Sequence, residues 1–256
     1  MEKNLNKKIE FYFKHSKHNN KNMNTEIKSN PILNVDNQIL SILFIMDESG
    51  SMSVMGDEPL QGINNFYKKQ NESGEFMSTL CFFNTEVKFV HKNIIGKDIP
   101  MLSNDDYKPN GMTALYDAIG ESVNFQLEQN PKNVLAVILT DGEENSSQKY
   151  TKSDIKKLLN KMEKENGWKI MYLGANQDSF KVANGIGVCS SANYTHTPEG
   201  CSGLFRRLSA EVSRCVSNDV PIEKFKFDLP QNIKPDDDDF EILPSEAPSL
   251  QRTYSS

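Results

Sequence analysis

Two apolar runs, the first interrupted by Ser41, constrain this chain more than any other feature. Ile39 to Met46 reads Ile-Leu-Ser-Ile-Leu-Phe-Ile-Met, and Val134 to Leu139 reads Val-Leu-Ala-Val-Ile-Leu. Neither alternates polar and apolar residues, so neither suits a strand with one wet face. Both suit strands buried on two faces, as in a parallel sheet covered by helices. Each run stops at a cluster of oxygen-bearing side chains: Asp47-Glu48-Ser49-Gly50-Ser51 after the first, and Thr140-Asp141-Gly142 after the second.

Helical and strand signals alternate around these runs. Leu60, Ile63, Phe66 and Tyr67 recur at helical spacing, Phe76 to Asn84 reads as a strand, and Val87 to Val90 as its hairpin partner. A polar loop, Ser103 to Met112, leads into a helix with Leu115, Ile119, Val123 and Leu127 on one face. After the second apolar run come a helix carrying Ile155, Leu158, Leu159 and Met162, and a strand from Trp168 to Leu173 with Trp168 in the core. Asp178 is placed to cap a short helix, a weak strand follows near Ile186 to Cys189, and Leu204, Leu208, Val212 and Cys215 mark a last helix. The order predicts an α/β fold: a doubly wound, mostly parallel sheet with helices on both faces and one antiparallel edge strand from the 76–90 hairpin. Such sheets bind ligands outside the carboxyl ends of their strands, which is where Asp47 and Asp141 fall.

With Gly111-Met112-Thr113 as a third loop, the chain offers two carboxylates, Asp47 and Asp141, and three hydroxyls, Ser49, Ser51 and Thr113. This hard-oxygen inventory suits Mg²⁺, with Mn²⁺ a second candidate, since Mg²⁺ takes an octahedron of oxygens at roughly 2.0–2.1 Å and keeps several waters. The pattern Asp-x-Ser-x-Ser, then a distant Thr, then a distant Asp resembles the metal-ion-dependent adhesion site of von Willebrand factor type A domains. The resemblance spans about Gln38 to Val216, and the small stand-alone microbial or viral members of the family are the nearest in type. It implies a Rossmann-like fold in which Ser49 and Ser51 ligate the cation through neutral hydroxyls. Asp47 and Asp141 would act directly or through water, and Thr113 directly in one conformation and through water in another. It further implies that the open position accepts an Asp or Glu of a partner protein, so that the function is cation-dependent protein binding and not catalysis.

Each residue also has a plainer reading. Asp47 could cap or turn, Ser49 and Ser51 could flank a flexible Gly50, Thr113 could cap the helix that follows, and Asp141-Gly142 is a common turn pair. Glu48, Glu143 and Glu144 read as solvated rim, with Asn145, Asn176 and Gln177 beside them. His15, His18, His91 and His196 show no ligand spacing and read as surface or satisfied histidines. An alternative function is a Mg²⁺-dependent hydrolase or phosphatase using Asp47. Against it, no Gly-x-x-x-x-Gly-Lys-Ser/Thr loop exists, Ser49 stands where haloacid-dehalogenase-like enzymes carry an acid, and no Ser/His/Asp or Cys/His pairing emerges. A third reading keeps the metal as a purely structural tie between loops.

Polarity collects at the two ends. Residues 1–36 hold seven lysines and four acids with no apolar period, and read as a disordered arm. Residues 37–217 form the expected domain, and 218–256 an acidic, proline-broken tail. Asp-Asp-Asp-Asp-Phe-Glu at 236–241 suggests that a tail acid such as Glu241 reaches the metal's open position in an intramolecular contact. A net charge of −6 argues against general nucleic-acid binding. No segment approaches 18 apolar residues, and the amino terminus lacks a secretory h-region, so an intracellular, cytoplasmic protein is expected. Cys81, Cys189, Cys201 and Cys215 lack metal-like spacing and read as buried, reduced thiols.

Overall fold

The computed structural model describes residues 39–175 and 179–227. The arm at 1–36, the tail beyond 227 with Glu241, and Asn176, Gln177 and Asp178 lie outside the described residues. Six strands form one sheet: β1 (Leu40–Asp47), β2 (Phe76–Phe83), β3 (Val87–Ile95), β4 (Asn133–Thr140), β5 (Lys169–Ala175) and β6 (Ser190–Tyr194). Their spatial order is β3-β2-β1-β4-β5-β6. β3 alone runs antiparallel, against β2; the other neighbours pair in parallel. The expected α/β architecture is the observed one. The order reverses beside β1, and this topological switch puts the ends of β1 and β4 next to each other.

Among the described residues five α-helices cover the sheet: α1 (Glu58–Ser73), α2 (Leu115–Glu128), α3 (Lys152–Asn166), α4 (Ser179–Ile186) and α5 (Pro198–Val216). β1 is buried at every position, because alternate residues serve two cores. Ile42, Phe44 and Met46 pack with Leu60, Ile63 and Phe66 of α1 and with Leu204, Leu208 and Val212 of α5. Leu43 and Ile45 face Leu115, Ile119 and Val123 of α2 and Ile155, Leu159 and Met162 of α3. This two-sided burial is the physical reason for the apolar run, and its one polar residue, Ser41, accepts a hydrogen bond from Gln126 Nε2 at 2.8 Å.

α1 and α5 approach closely at Gly62, where an added Cβ would stand 2.2 Å from the Phe205 ring. A buried polar latch joins the same helices: Gln70 Nε2 donates to the Ser209 carbonyl at 3.0 Å, and Ser213 Oγ donates to Gln70 Oε1 at 3.2 Å. α3 opens with a capping box, in which Thr151 and Asp154 each accept from the other's backbone amide, and closes at left-handed Gly167.

Several boundaries depart from the sequence reading. β3 continues to Ile95, five residues past Val90, because irregular register against β2 lets it bend and stay paired. The last strand is Ser190–Tyr194 and not 186–189; Ile186 ends α4 and Val188 is core. Beyond α5 the chain keeps to the body for ten residues of the expected tail: Ile222 is buried in a 3₁₀ turn, with Val220, Phe225 and Phe227 against the core. Trp168 is buried, as expected, just before β5. All four cysteines are unpaired, and Cys189 is exposed where a buried thiol was expected.

Candidate metal centre

Asp47 ends β1 with its side chain fully buried. Its Oδ1 accepts the Ser49 amide at 2.7 Å, and its Oδ2 accepts the Thr140 hydroxyl at 2.5 Å. Burial pushes its carboxyl up to about 6, opposed by these hydrogen bonds and reinforced by the nearby Asp141 charge. The turn after Asp47 brings Ser49 Oγ to 3.1 Å from Ser51 Oγ, and Ser51 Oγ donates to Asp141 Oδ1 at 2.7 Å. Four of the five sequence-selected residues therefore sit on one connected set of contacts. Thr113 joins through Gly142: an added Cβ there would meet Thr113 Oγ1 at 3.0 Å and Asp47 Oδ2 at 3.7 Å. Ala114, not Thr113, stands at the amino end of α2, and no side chain caps it. The capping alternative for Thr113 is thus not what its hydroxyl does.

The loop 110–113 is pinned from both sides. The Gly50 amide donates to the Gly111 carbonyl at 3.2 Å, and the Met112 amide donates to Thr85 Oγ1 at 3.0 Å. Gly111 has φ +74°, and a Cβ there would stand 2.8 Å from Thr85 Oγ1, so glycine is required on both counts. Thr113 and Asn145 clamp each other: the Thr113 amide donates to Asn145 Oδ1 at 2.8 Å, and the Asn145 amide to the Thr113 carbonyl at 3.1 Å.

Two of the three rim glutamates prove to be structural. Glu48 is 7% exposed, not solvated; its carboxylate accepts the Lys108 amide, and burial raises its pKa. Glu144 accepts the amides of Tyr116, Ser146 and Ser147 and the Ser147 hydroxyl, fixing the loop after β4 onto α2. Glu143 is exposed, as expected. Asp117 of α2 completes the work by accepting the amides of Gln148, Lys149 and Tyr150.

Residues that sequence reasoning passed over also shape the site. Thr140 holds Asp47, and Tyr107 donates its hydroxyl to the Asp47 carbonyl at 2.8 Å. Thr140 was legible as the first residue after the run; Tyr107, in a polar loop, gave no periodic signal. His196, read as surface or satisfied, places Nε2 2.7 Å from Asp141 Oδ2. His91 is buried beside Ser78 and Tyr67, and burial lowers its pKa to about 4.

The fit to a dication can be judged from the donors. Asp141 has a fully buried side chain, and no hydrogen bond is aligned on its Oδ2. A buried carboxylate oxygen is costly without a compensating charge, and here the His196 imidazole is the group beside it. Ser51 is exposed, so the group opens to solvent there. Among the described residues no three His, Cys, Asp or Glu side chains converge as a metal site by themselves. A cation here would need the hydroxyls, as the motif supposes, and the donor set fits that requirement.

No protein-family model matches this chain, and neither does the sequence of any curated protein. Solved structures do match. The PilB minor pilin from Streptococcus sanguinis superposes with a TM-score of 0.54 at 13% identity, covering 75% of this chain and 64% of that one. The vWF domain of the type V pili tip protein Mfa5 from Porphyromonas gingivalis gives 0.53 at 11%, covering 70% and 97%. The pilus adhesin SpaC from Lactobacillus rhamnosus GG gives 0.54 at 13%, covering 69% and 31%. The fold is von Willebrand factor type A-like, and at these identities the likeness is one of fold. The chain thus spans less than two thirds of the pilin and under a third of the adhesin. These are pilus proteins, which lends the expected intracellular location no support. Among the described residues no helix is long and apolar enough to cross a membrane.

Proposed function

We propose that this chain is a protein-binding module in which Asp47, Ser49, Ser51, Thr113 and Asp141 hold Mg²⁺ or Mn²⁺, and that the site docks an Asp or Glu of a partner protein. The observation that carries the reading is the 2.7 Å contact between Ser51 Oγ and Asp141 Oδ1, with Ser49 Oγ behind it, which joins loop ends 90 positions apart. Two carboxylates offset a dication's charge, while three hydroxyls supply dipoles and no further charge. A bound cation would then supply an electrophilic position for one more carboxylate oxygen. Asp47, with both oxygens engaged by Ser49 and Thr140, contributes its charge from behind the hydroxyls. Binding rather than catalysis also fits the similar solved structures, which are named as a pilin, a pilus tip protein and an adhesin.

The test is calorimetric titration of metal-free protein with Mg²⁺ and Mn²⁺, wild type against Asp141→Ala, followed by binding of a Glu-containing peptide library with Mg²⁺ or EDTA. One saturable site lost in the variant, and Mg²⁺-dependent peptide capture, are the expected results. A wild type that binds neither cation would sink the reading.

A further inference from the structure

The segment after β6 is short and tied at both ends. Tyr194, the last residue of β6, is buried, and its hydroxyl lies 3.9 Å from Met55 Sδ. Thr197 accepts the Gly200 amide at 3.1 Å and so caps α5. His196 stands between these anchors, and its imidazole reaches past the end of β5 to the loop after β4. There its Nε2 is 2.7 Å from Asp141 Oδ2. The carboxylate oxygen is buried, yet the contact is not aligned as a hydrogen bond on it. An ordinary Asp–His ion pair would aim a proton along that line. Two ligand atoms on one cation behave differently: at about 2.1 Å from the metal, adjacent donors of an octahedron stand about 3 Å apart with lone pairs turned to a common centre.

We infer that His196 is a nitrogen donor to the cation site at Asp141, and that it turns this site toward first-row transition dications such as Mn²⁺ and Co²⁺ in preference to Mg²⁺. The inference rests on the metal-binding reading above. It also explains how the site works without three clustered acids: Asp47 is engaged by its own loop and Thr140, so the donors nearest the opening are Asp141, His196 and the serine hydroxyls. Imidazole is a borderline donor that transition dications accept well and Mg²⁺ poorly, whereas an all-oxygen set suits Mg²⁺.

The experiment uses the full chain and three metals alone: Mg²⁺, Mn²⁺ and Co²⁺. Calorimetry on wild type should rank Co²⁺ and Mn²⁺ above Mg²⁺, and His196→Gln should reduce the Co²⁺:Mg²⁺ affinity ratio by about tenfold or more while Mg²⁺ affinity moves far less. Electron spin-echo spectra of Mn²⁺-loaded wild type should show imidazole nitrogen coupling, a readout that needs no variant to fold. Saturable, Asp141-dependent Mg²⁺ binding with no nitrogen coupling and an unchanged ratio in His196→Gln would overturn the inference and leave the metal-binding reading standing. Failure of every cation to bind wild type would overturn both.

Discussion

The Thr140 hydroxyl donates to Asp47 Oδ2 at 2.5 Å, across two adjacent parallel strands and 93 positions of sequence. Thr140 Oγ1 also accepts the Gly142 amide at 3.1 Å. One buried hydroxyl therefore orients the carboxylate that ends β1 and shapes the turn that carries Asp141. Thr140→Val keeps the shape and removes both functions. It should cost about 1.5–3 kcal/mol at pH 7 without metal, the range for a lost hydrogen bond to a charged group, read by urea unfolding. Cation affinity should fall several-fold in the same variant by calorimetry, with the helical circular dichroism unchanged.

Asp47 and His91 oppose each other in their response to acid. Asp47, raised to about 6, binds more protons when folded than unfolded, so its contribution weakens stability as pH rises from about 4 to about 6. His91, lowered to about 4, binds fewer protons when folded, so its contribution strengthens stability as pH rises through the same window to about 6.5. In EDTA the wild type should show a shallow dependence across that range. Asp47→Asn should leave the His91 slope alone, gaining stability at pH 7 by up to about 3 kcal/mol and losing it steeply on acidification. Urea midpoints taken from pH 4 to pH 8 decide it; parallel curves for the two proteins would contradict the argument.

The α1–α5 seam should resist any side chain at position 62. Alanine in a helix interior is favoured over glycine by about 1 kcal/mol. Here, however, its Cβ would meet the Phe205 ring at 2.2 Å, and overpacking of this kind costs about 1–3 kcal/mol. Gly62→Ala is therefore expected to destabilise, and Phe205→Leu in the same chain to recover part of the loss. A double-mutant cycle in urea measures the coupling.

Asp47 is a poor nucleophile as placed, because it has no exposed surface and both its oxygens accept hydrogen bonds. Assays with a chromogenic phosphate ester and Mg²⁺ should give no turnover above that of Asp47→Asn. Cation-dependent hydrolysis lost in that variant would revive the enzymatic alternative.

The amino-acid sequence determined the sheet and most of its helices, since a strand covered on both faces must be apolar at most positions and a covering helix must repeat its apolar residues every three or four positions. Ile42, Phe44, Leu135 and Val137 could hardly lie elsewhere. It also selected Asp47, Ser49, Ser51, Thr113 and Asp141 as a group, by residue type and order, and the folded chain gathers them on neighbouring loops. Tertiary structure alone decided what local pattern does not encode. β6 is an edge strand, Ser-Ser-Ala-Asn-Tyr, with only Ala192 and Tyr194 buried, too little apolar contrast to mark its ends. Glu48 looks like a solvated acid until the loop carrying Lys108 folds over it. His196 lies 55 positions from Asp141 and meets it only because β6 and β4 stand two places apart in the sheet. Burial and proximity of that sort arise from how strands are ordered, and strand order depends on the summed packing of the whole sheet, not on any window of sequence.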